Sequence, residues 1–266
     1  MPYILYDRYP AGHYAIFKMN RPDRLNAQGA AMREDLDAAM EEFTLDPEMR
    51  VGIVTGEGRA FSAGADLREM SERNAASLQT DSQLAPPETN TERSRLGQPF
   101  ARNPKPFIAA INGLAIAAGM ERAADCDIRI ASTEAYFGLF EVRRGILPGY
   151  AIHNLARVMP FGEAMYLMLT GDTMSVAEAH RLGFVHEILE PQQLMGRAVE
   201  IAEMIGGNAP LAVQGTKAVA QYWRRLGLEE SMRLGAWVAH STLNSEDAVE
   251  GPLAFAEKRT PVWKGR

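Results

Sequence analysis

Two stretches of the sequence share one plan, and this repetition limits the possible folds more than any other feature. Residues 53–67 and residues 110–121 each begin with an apolar, strand-like run, pass through a glycine turn and a series of small side chains, and lead into a helix. Strands that alternate with helices in this way are typical of an α/β core. We therefore expect two equivalent strand–turn–helix units.

The small side chains suggest what these units could do. They let a ligand approach the backbone closely, and the first turn of a helix presents unpaired N–H groups with a dipole that favours negative charge. Two such units could direct N–H groups at one ligand oxygen. The alternative is tight packing of small residues where strands meet helices, and the pattern alone leaves both interpretations open.

Apolar periodicity predicts the other elements of the first half of the chain. A spacing of three and four residues predicts a helix whose inner face consists of Met32, Leu36, Ala39, Met40 and Phe43. Short apolar runs predict strands at residues 3–6, 14–19, 51–55, 107–111 and 127–131. The first two of these strands flank a Pro- and Gly-containing stretch at residues 9–12, which predicts a hairpin.

Helical patterns dominate after Pro148. Ser175 and Glu178 have the spacing of a capping box, which predicts the start of a helix. This helix is expected to stop near Gly183, with a short strand at residues 185–189.

Residues 71–103 differ in composition from the rest of the chain. They are rich in Ser, Thr, Asn, Gln, Glu and Arg, and they contain Pro86 and Pro87. We interpret this segment as a solvated, partly mobile excursion between two core units. Loops of this length often form lids or pocket walls, and an ordinary surface loop is the alternative.

Length and charge exclude several classes of protein. The 266 residues suffice for a sizeable core, and 28 basic against 34 acidic residues give a formal charge of −6, which argues against a general nucleic-acid or anionic-membrane binder. The single cysteine, Cys126, rules out an internal disulfide framework and fits a reducing compartment. The first ten residues lack a signal-peptide core, and the longest apolar stretch, residues 107–120, is too short for a membrane span. We expect a cytoplasmic location.

Two glutamates in apolar surroundings are the strongest candidates for chemistry. Glu121 follows the second small-residue stretch, and Glu141 follows Phe140 twenty residues later. A carboxylate in such a place needs hydrogen bonds or responds with a raised pKa, and a pair of them can act on water as general base and general acid. The alternative is an ordinary surface or ion-paired glutamate, with Arg122, Arg143 or Arg144 as partner.

Other chemistries receive less support from the sequence. Ala60 stands where a nucleophile elbow around Ser62 would need its first glycine, and the glycine pair around Glu57 lacks the third glycine of a dinucleotide site. The five histidines show no zinc-ligand spacing. His153 could still lie near the site, because it follows a Pro-Gly pair on an expected helix. We expect no metal and no cofactor.

The motifs taken together resemble those of the enoyl-CoA hydratase/isomerase family, the crotonases, over nearly the whole chain. The matching segments are Asn20-Arg21-Pro22 with Leu25-Asn26-Ala27, residues 60–67, 112–128, 137–149, 169–172, 179, 183–185 and 255–259. The resemblance implies an α/β fold with a spiral core of ββα units over residues 1–200 and a C-terminal helical trimerisation region over residues 201–266. It also implies a homotrimer or a dimer of trimers.

The resemblance further implies a coenzyme A (CoA) thioester substrate and assigns roles to individual residues. The N–H groups of Ala65 and Ala118 would form an oxyanion hole, with Glu121 and Glu141 as the two hydratase glutamates. CoA would be held by Arg24, Ala63, Ala65, Asp66, Leu67, Arg68 and Ala118, and by Phe255 and Lys258, the last two reaching it from a neighbouring subunit. The implied reaction is addition of water to a 2-enoyl-CoA, with Glu141 chiefly delivering the proton to C2 and Glu121 chiefly activating water.

Some residues depart from the family pattern and keep alternatives open. Ala117 and Ala118 replace a common Gly-Gly, Arg122 replaces an apolar residue and could pair with Glu121, and Tyr150 replaces a glycine and could block the cavity. The alternatives are another crotonase reaction (Δ3–Δ2 isomerisation, hydrolysis or decarboxylation) and a catalytically silent acyl-CoA-binding subunit.

Overall fold

A computed structural model describes residues 1–78 and 98–266 of the chain. Its strands are β1 (Ile4–Tyr9), β2 (Tyr14–Met19), β3 (Val51–Gly56), β4 (Ala60–Ser62), β5 (Phe107–Ile111), β6 (Leu114–Ile116), β7 (Ile128–Ser132), β8 (Tyr136–Gly138), β9 (Thr173–Ser175) and β10 (Glu187–Leu189). Its helices are α1 (Ala30–Leu45), α2 (Leu67–Leu78), α3 (Pro99–Arg102), α4 (Ala118–Asp125), α5 (Ala151–Asn154), α6 (Phe161–Thr170), α7 (Val176–Arg181), α8 (Pro191–Gly206), α9 (Pro210–Arg225), α10 (Leu228–Leu243) and α11 (Glu246–Glu257).

The described strands form two sheets. Six of them make one sheet in the order β1-β2-β3-β5-β7-β10, and four make a second in the order β4-β6-β8-β9. β1 and β2 pair antiparallel, with Tyr9 opposite Tyr14, which confirms the predicted hairpin. The other neighbours in the larger sheet run parallel, as expected for strands joined by helical crossovers.

Helices cover both faces of the larger sheet. The five predicted inner positions of α1 are all buried, and the Phe43 ring packs with Phe17 and Phe107 from the sheet at ring-centroid distances of 5.3 and 5.2 Å. Burial of one such side chain stabilises the fold by roughly 1.5–3 kcal/mol. On the opposite face, α8 buries Leu194, Ala198, Ile201 and Ala202 in a second apolar cluster. The expected boundary after residue 200 falls within α8, and the division into two domains stays a prediction.

The two repeated units are confirmed, and the smaller sheet joins them. In the first unit β3 and β4 lead into α2, and in the second β5 and β6 lead into α4. β4 pairs parallel to β6, with Ala60 opposite Leu114 and Ser62 opposite Ala115. Because both helices start just after these paired strands, their first turns lie side by side.

The polar segment at residues 71–103 is only partly described. Residues 71–78 continue helix α2, and residues 99–102 form helix α3. Asp66 accepts N–H bonds from the first turn of α2 and initiates this helix. Ser71, Glu72 and Ala75 are exposed on it, and the interpretation of the whole segment as a solvated, partly mobile excursion stays a prediction. Residues 79–97 lie outside the described part of the chain.

The last third of the chain is helical, as predicted. Ser175 caps α7 by accepting a hydrogen bond from the Glu178 N–H at 3.2 Å, while the Glu178 carboxylate binds Arg181 instead of completing the capping box. α7 ends at Arg181, close to the predicted stop at Gly183. None of the helices in residues 1–78 and 98–266 combines the length and apolar character needed to cross a bilayer.

Candidate active site

A cavity of about 480 Å³ lies where the first turns of α2 and α4 meet the 3₁₀ turn Glu141–Arg144. It brings together nine of the eleven site residues expected from the sequence. These are Arg24, Ala63, Ala65, Asp66, Leu67, Arg68, Ala118, Glu121 and Glu141.

Two backbone N–H groups on the cavity wall, those of Ala65 and Ala118, have no hydrogen-bond acceptor among the described residues. The Gly64 carbonyl accepts the Gln28 N–H at 2.7 Å, and in a trans peptide the Ala65 N–H must then point the opposite way. Ala118 is the first residue of α4, where an N–H has no partner within the helix. Both groups are therefore available to a ligand.

The two segments that carry these N–H groups are in direct contact. Gly64 has φ +91°, and a Cβ there would lie 2.7 Å from the Ala117 Cβ and 3.1 Å from the Ala118 nitrogen. Only glycine satisfies both the backbone conformation and the close approach. Ala117 itself has φ 53° and ψ −128°, which is a strained conformation for a residue with a Cβ.

Glu121 projects from the first turn of α4, and backbone donors hold its carboxylate. The Ala151 N–H donates to Oε1 at 3.0 Å, and the Tyr150 N–H also contributes. Burial raises the pKa of Glu121, and these hydrogen bonds and the charge of Arg122 oppose the rise. The hydrogen bonds favour the ionised form of this side chain.

Glu141 begins the 3₁₀ turn after β8, and its carboxyl group is less well paired. The residue is 7% exposed, and Oε2 has no hydrogen-bond partner within the described chain. Burial raises the pKa of Glu141 to about 7; a hydrogen bond from its own backbone N–H opposes the rise, the nearby Glu121 charge adds to it, and the charge of Arg144 opposes it. At neutral pH this group can therefore carry a proton.

The proposed neutralisation of Glu121 by Arg122 is wrong. Neighbouring residues on a helix do not face each other, and the Arg122 guanidinium turns away to donate to the Gln28 side-chain oxygen at 3.0 Å. No ion pair joins Arg122 to Glu121 among the described residues, and Arg143 is bound to Thr170 and Asp172 instead.

Tyr150 does not block the site. Its side chain lines a separate cavity of about 580 Å³ between the core and α9, although its backbone N–H contributes to holding Glu121. His153 lies in that second cavity as well, so the idea that it could lie near the carboxylates was wrong. Neither an ion pair between Arg122 and Glu121 nor blockage of the cavity by Tyr150 therefore supports the alternative of a silent subunit.

The Asp66 carboxylate stabilises the wall of the cavity and is not a free group. Its carboxylate caps α2 through the Arg68 and Glu69 N–H groups and pairs with Arg21 at 2.7 Å. Partial burial opposes ionisation, but these hydrogen bonds lower its pKa. Arg24 and Arg68 remain the cationic members of the cavity wall on this side.

Phe255 and Lys258 do not line the cavity. They lie at the end of α11, and Phe255 is 87% exposed. Their expected contact with CoA from a neighbouring subunit stays a prediction.

The sequence arguments missed three residues at the site. Gln28 contacts both N–H-bearing segments, Gly149 packs against the Glu121 carboxylate, and Ala151 donates to it. The Pro148-Gly149 pair was a usable signal for a tight approach; nothing in the local sequence identified the other two. Ser62 is fully buried and donates to the Asn26 carbonyl, in agreement with its exclusion as a nucleophile.

Comparison with known proteins agrees with the geometry. Residues 12–266 match the enoyl-CoA hydratase/isomerase family. A mevalonyl-coenzyme A hydratase of Aspergillus fumigatus is 36% identical over 96% of this chain and 93% of its own, and an (E)-benzylidenesuccinyl-CoA hydratase of Thauera aromatica is 35% identical over 96% and 97%. The crystal structure of an enoyl-CoA hydratase from Bacillus anthracis superposes with a TM-score of 0.90 at 32% identity and covers 99% of this chain and 100% of that one. The chain belongs to the enoyl-CoA hydratase/isomerase family and has the crotonase fold.

Proposed function

We propose that this enzyme adds water across the C2=C3 double bond of a 2-enoyl-CoA thioester. The observation that carries the proposal is one cavity containing two glutamate carboxyl groups and two backbone N–H groups that have no acceptor in residues 1–78 and 98–266. An isomerisation needs one carboxylate, whereas water addition uses one group to activate water and one to protonate carbon. The named hydratases among the relatives support the same reaction.

In this proposal the Ala65 and Ala118 N–H groups bind the thioester oxygen. Negative charge develops on that oxygen when water attacks C3, because the electrons of the double bond move toward the carbonyl. A preorganised donor of this kind commonly stabilises a transition state by about 3–4 kcal/mol. Contact between the two segments at Gly64 keeps the donors close enough to share one oxygen.

The two carboxyl groups divide the proton transfers. Glu121, whose carboxyl group accepts backbone N–H bonds that favour its ionised form, takes a proton from the attacking water. Glu141, whose pKa of about 7 leaves it partly protonated, delivers a proton to C2. Both side chains are at least partly buried, and the different hydrogen bonding of their carboxyl groups supplies the two functions. The mechanism uses only these side chains, the backbone and the substrate, without a metal or a separate cofactor.

The CoA portion would be bound by local charges, since the chain as a whole is acidic. Arg24 and Arg68 lie on the cavity wall and suit the phosphates of CoA. We propose that Phe255 and Lys258 complete this site from a neighbouring subunit of a homotrimer or a dimer of trimers. Trp223 and Trp237, 67% and 72% exposed on the C-terminal helices, support an association surface there. The buried, unpaired thiol of Cys126 fits a cytoplasmic location.

The acyl group is proposed to lie against the apolar part of the cavity. This part includes Ile116, Phe140, Ile146 and Leu147. The relatives' names specify different acyl groups, so the test must cover chain length and branching.

The experiment is an absorbance assay on purified protein with 2-enoyl-CoA thioesters of graded length and branching. Hydration removes the conjugation between the double bond and the thioester, so the ultraviolet absorbance falls. The proposal requires turnover of at least one 2-enoyl-CoA. Binding without turnover across the panel, or turnover of 3-enoyl-CoA thioesters alone, would contradict it and favour a silent subunit or an isomerase.

A further inference from the structure

The hydrogen bonds of Gln28 connect both halves of the proposed oxyanion hole. The Gln28 N–H donates to the Gly64 carbonyl at 2.7 Å, and the Gln28 carbonyl accepts the Asp66 N–H at 3.0 Å. The backbone of Gln28 therefore binds the residues on each side of Ala65. Its side-chain Nε2 donates to the Ala118 carbonyl at 3.3 Å and to the Ser62 Oγ at 3.0 Å. One residue thus contacts the segment of Ala65 and the segment of Ala118.

Arg122 determines which way the Gln28 amide points. Its Nη2 donates to the Gln28 Oε1 at 3.0 Å, while its guanidinium lies 5.7 Å from the centre of the Phe100 ring. If the amide flipped, its NH₂ group would face the guanidinium, and two donors would oppose each other. The Ala118 carbonyl would then lose its bond as well.

Ser62 extends the same network to the first segment. Its hydroxyl donates to the Asn26 carbonyl at 2.9 Å and accepts both the Gly64 N–H at 3.2 Å and the Gln28 amide. The hydroxyl therefore has no free donor for a replacement of Gln28. Only a side chain with its own donors can maintain the bonds to both segments.

We infer that Gln28, oriented by Arg122, is a positioning residue that fixes the distance and direction between the Ala65 and Ala118 N–H groups. Gln28 is not among the described residues that line the cavity, so it acts through the two segments and not directly on the substrate. This inference rests on the proposed function, in which those two N–H groups bind an enolate oxygen. It explains why a partly buried charged residue directly follows Glu121 without pairing with it.

Gln28→Glu removes the side-chain N–H donors of Gln28 but keeps an oxygen that accepts from Arg122. A carboxylate still accepts from Arg122, but it cannot donate to the Ala118 carbonyl, which it would repel. A displacement of about 1 Å in such a site can lower the rate about 100-fold. We expect kcat to fall by about 10- to 100-fold, with the dissociation constant for CoA and the melting temperature close to those of the wild type.

The double variant Gln28→Leu/Arg122→Leu separates positioning from stability. Gln28→Leu alone leaves a buried guanidinium unpaired and should lower the melting temperature, whereas replacing both partners by apolar side chains should recover much of that loss. A purely structural pair would recover kcat together with stability. The inference predicts that kcat stays low in the double variant.

A second readout does not depend on hydration. The wild type and the variants are saturated with 3-oxobutanoyl-CoA, and the fraction of bound ligand present as the enolate is measured by its ultraviolet absorbance. A well-aligned pair of N–H groups favours the enolate, so this fraction should fall in Gln28→Glu and in the double variant. If either variant had the same kcat and the same enolate fraction as the wild type, the inference would be overturned. If the wild type favoured the enolate but hydrated no 2-enoyl-CoA, only the proposed function would be contradicted.

Discussion

Glu121 and Glu141 line one cavity, but the two regions that carry them provide different hydrogen bonds to the carboxyl group. The start of α4 presents Glu121 to the backbone N–H groups of Tyr150 and Ala151, which favour its ionised form. The 3₁₀ turn presents Glu141 with one oxygen unpaired and with a pKa of about 7. We infer that the more complete hydrogen bonding of Glu121, rather than side-chain type, distinguishes the proposed base from the proposed acid.

The largest expected effect comes from Glu141→Gln, which keeps the shape of the acid but removes its transferable proton. General acid–base groups contribute about 10²–10⁴-fold to rates, so kcat for a 2-enoyl-CoA should fall by about that factor while CoA affinity is retained. Steady-state assays and calorimetric titration with CoA measure the two quantities. Glu134→Gln, at an exposed glutamate, is the control and should leave both unchanged. Full activity of Glu141→Gln would refute the assignment.

Gly149→Ala should have a smaller effect, directed at Glu121. A Cβ at this position would lie 3.0 Å from Glu121 Oε1 and 3.3 Å from Oε2, so the carboxylate must shift away from its donors. We expect kcat to fall about 10-fold, a loss consistent with partial misplacement of a catalytic group. Gly162→Ala is a matched control, because a Cβ there meets no atom within 4 Å. Equal activity of the two variants would show that the position of Glu121 is not critical.

The pH dependence of stability should also differ between the two regions. Burial raises the pKa of Glu141 above its value in the unfolded chain. The contribution of the protonated side chain to the free energy of unfolding is therefore complete below the unfolded pKa and is lost as the pH rises through about 7. Glu141→Gln cannot ionise and should lose less stability between pH 5 and pH 8. Melting temperatures at both pH values provide the check. A parallel decline in the two proteins would show that Glu141 does not titrate in this range.

The smallest expected effect concerns Arg144, whose charge opposes the raised pKa of Glu141. Arg144→Leu should move the upper limb of the kcat/KM profile to higher pH by less than about one unit. Arg143→Leu removes the same charge from a side chain bound to Thr170 and should leave the limb in place. An identical shift in both variants would indicate a general change in net charge instead.

Much of this arrangement follows from sequence because it depends on local patterns. The inner face of α1, the hairpin and the two repeated units were predictable from periodicity and turn residues, and both glutamates were predictable as a pair in apolar surroundings. Side-chain directions were not. Arg122 was expected beside Glu121 but binds Gln28, a residue 94 positions away, and Tyr150 was expected in the cavity but lies in another one. Such directions depend on the tertiary path that brings distant segments together.

The most direct test of the central claim measures which glutamate is protonated. Infrared difference spectra of the wild type between pH 5 and pH 9 should contain C=O bands of two carboxylic acids that titrate near pH 7, because burial raises the pKa of Asp125 as well as that of Glu141 to about 7. We expect Glu141→Gln to lose one of these bands and Glu121→Gln to retain both. A band that persists in Glu141→Gln and disappears in Glu121→Gln would reverse the assignment of acid and base.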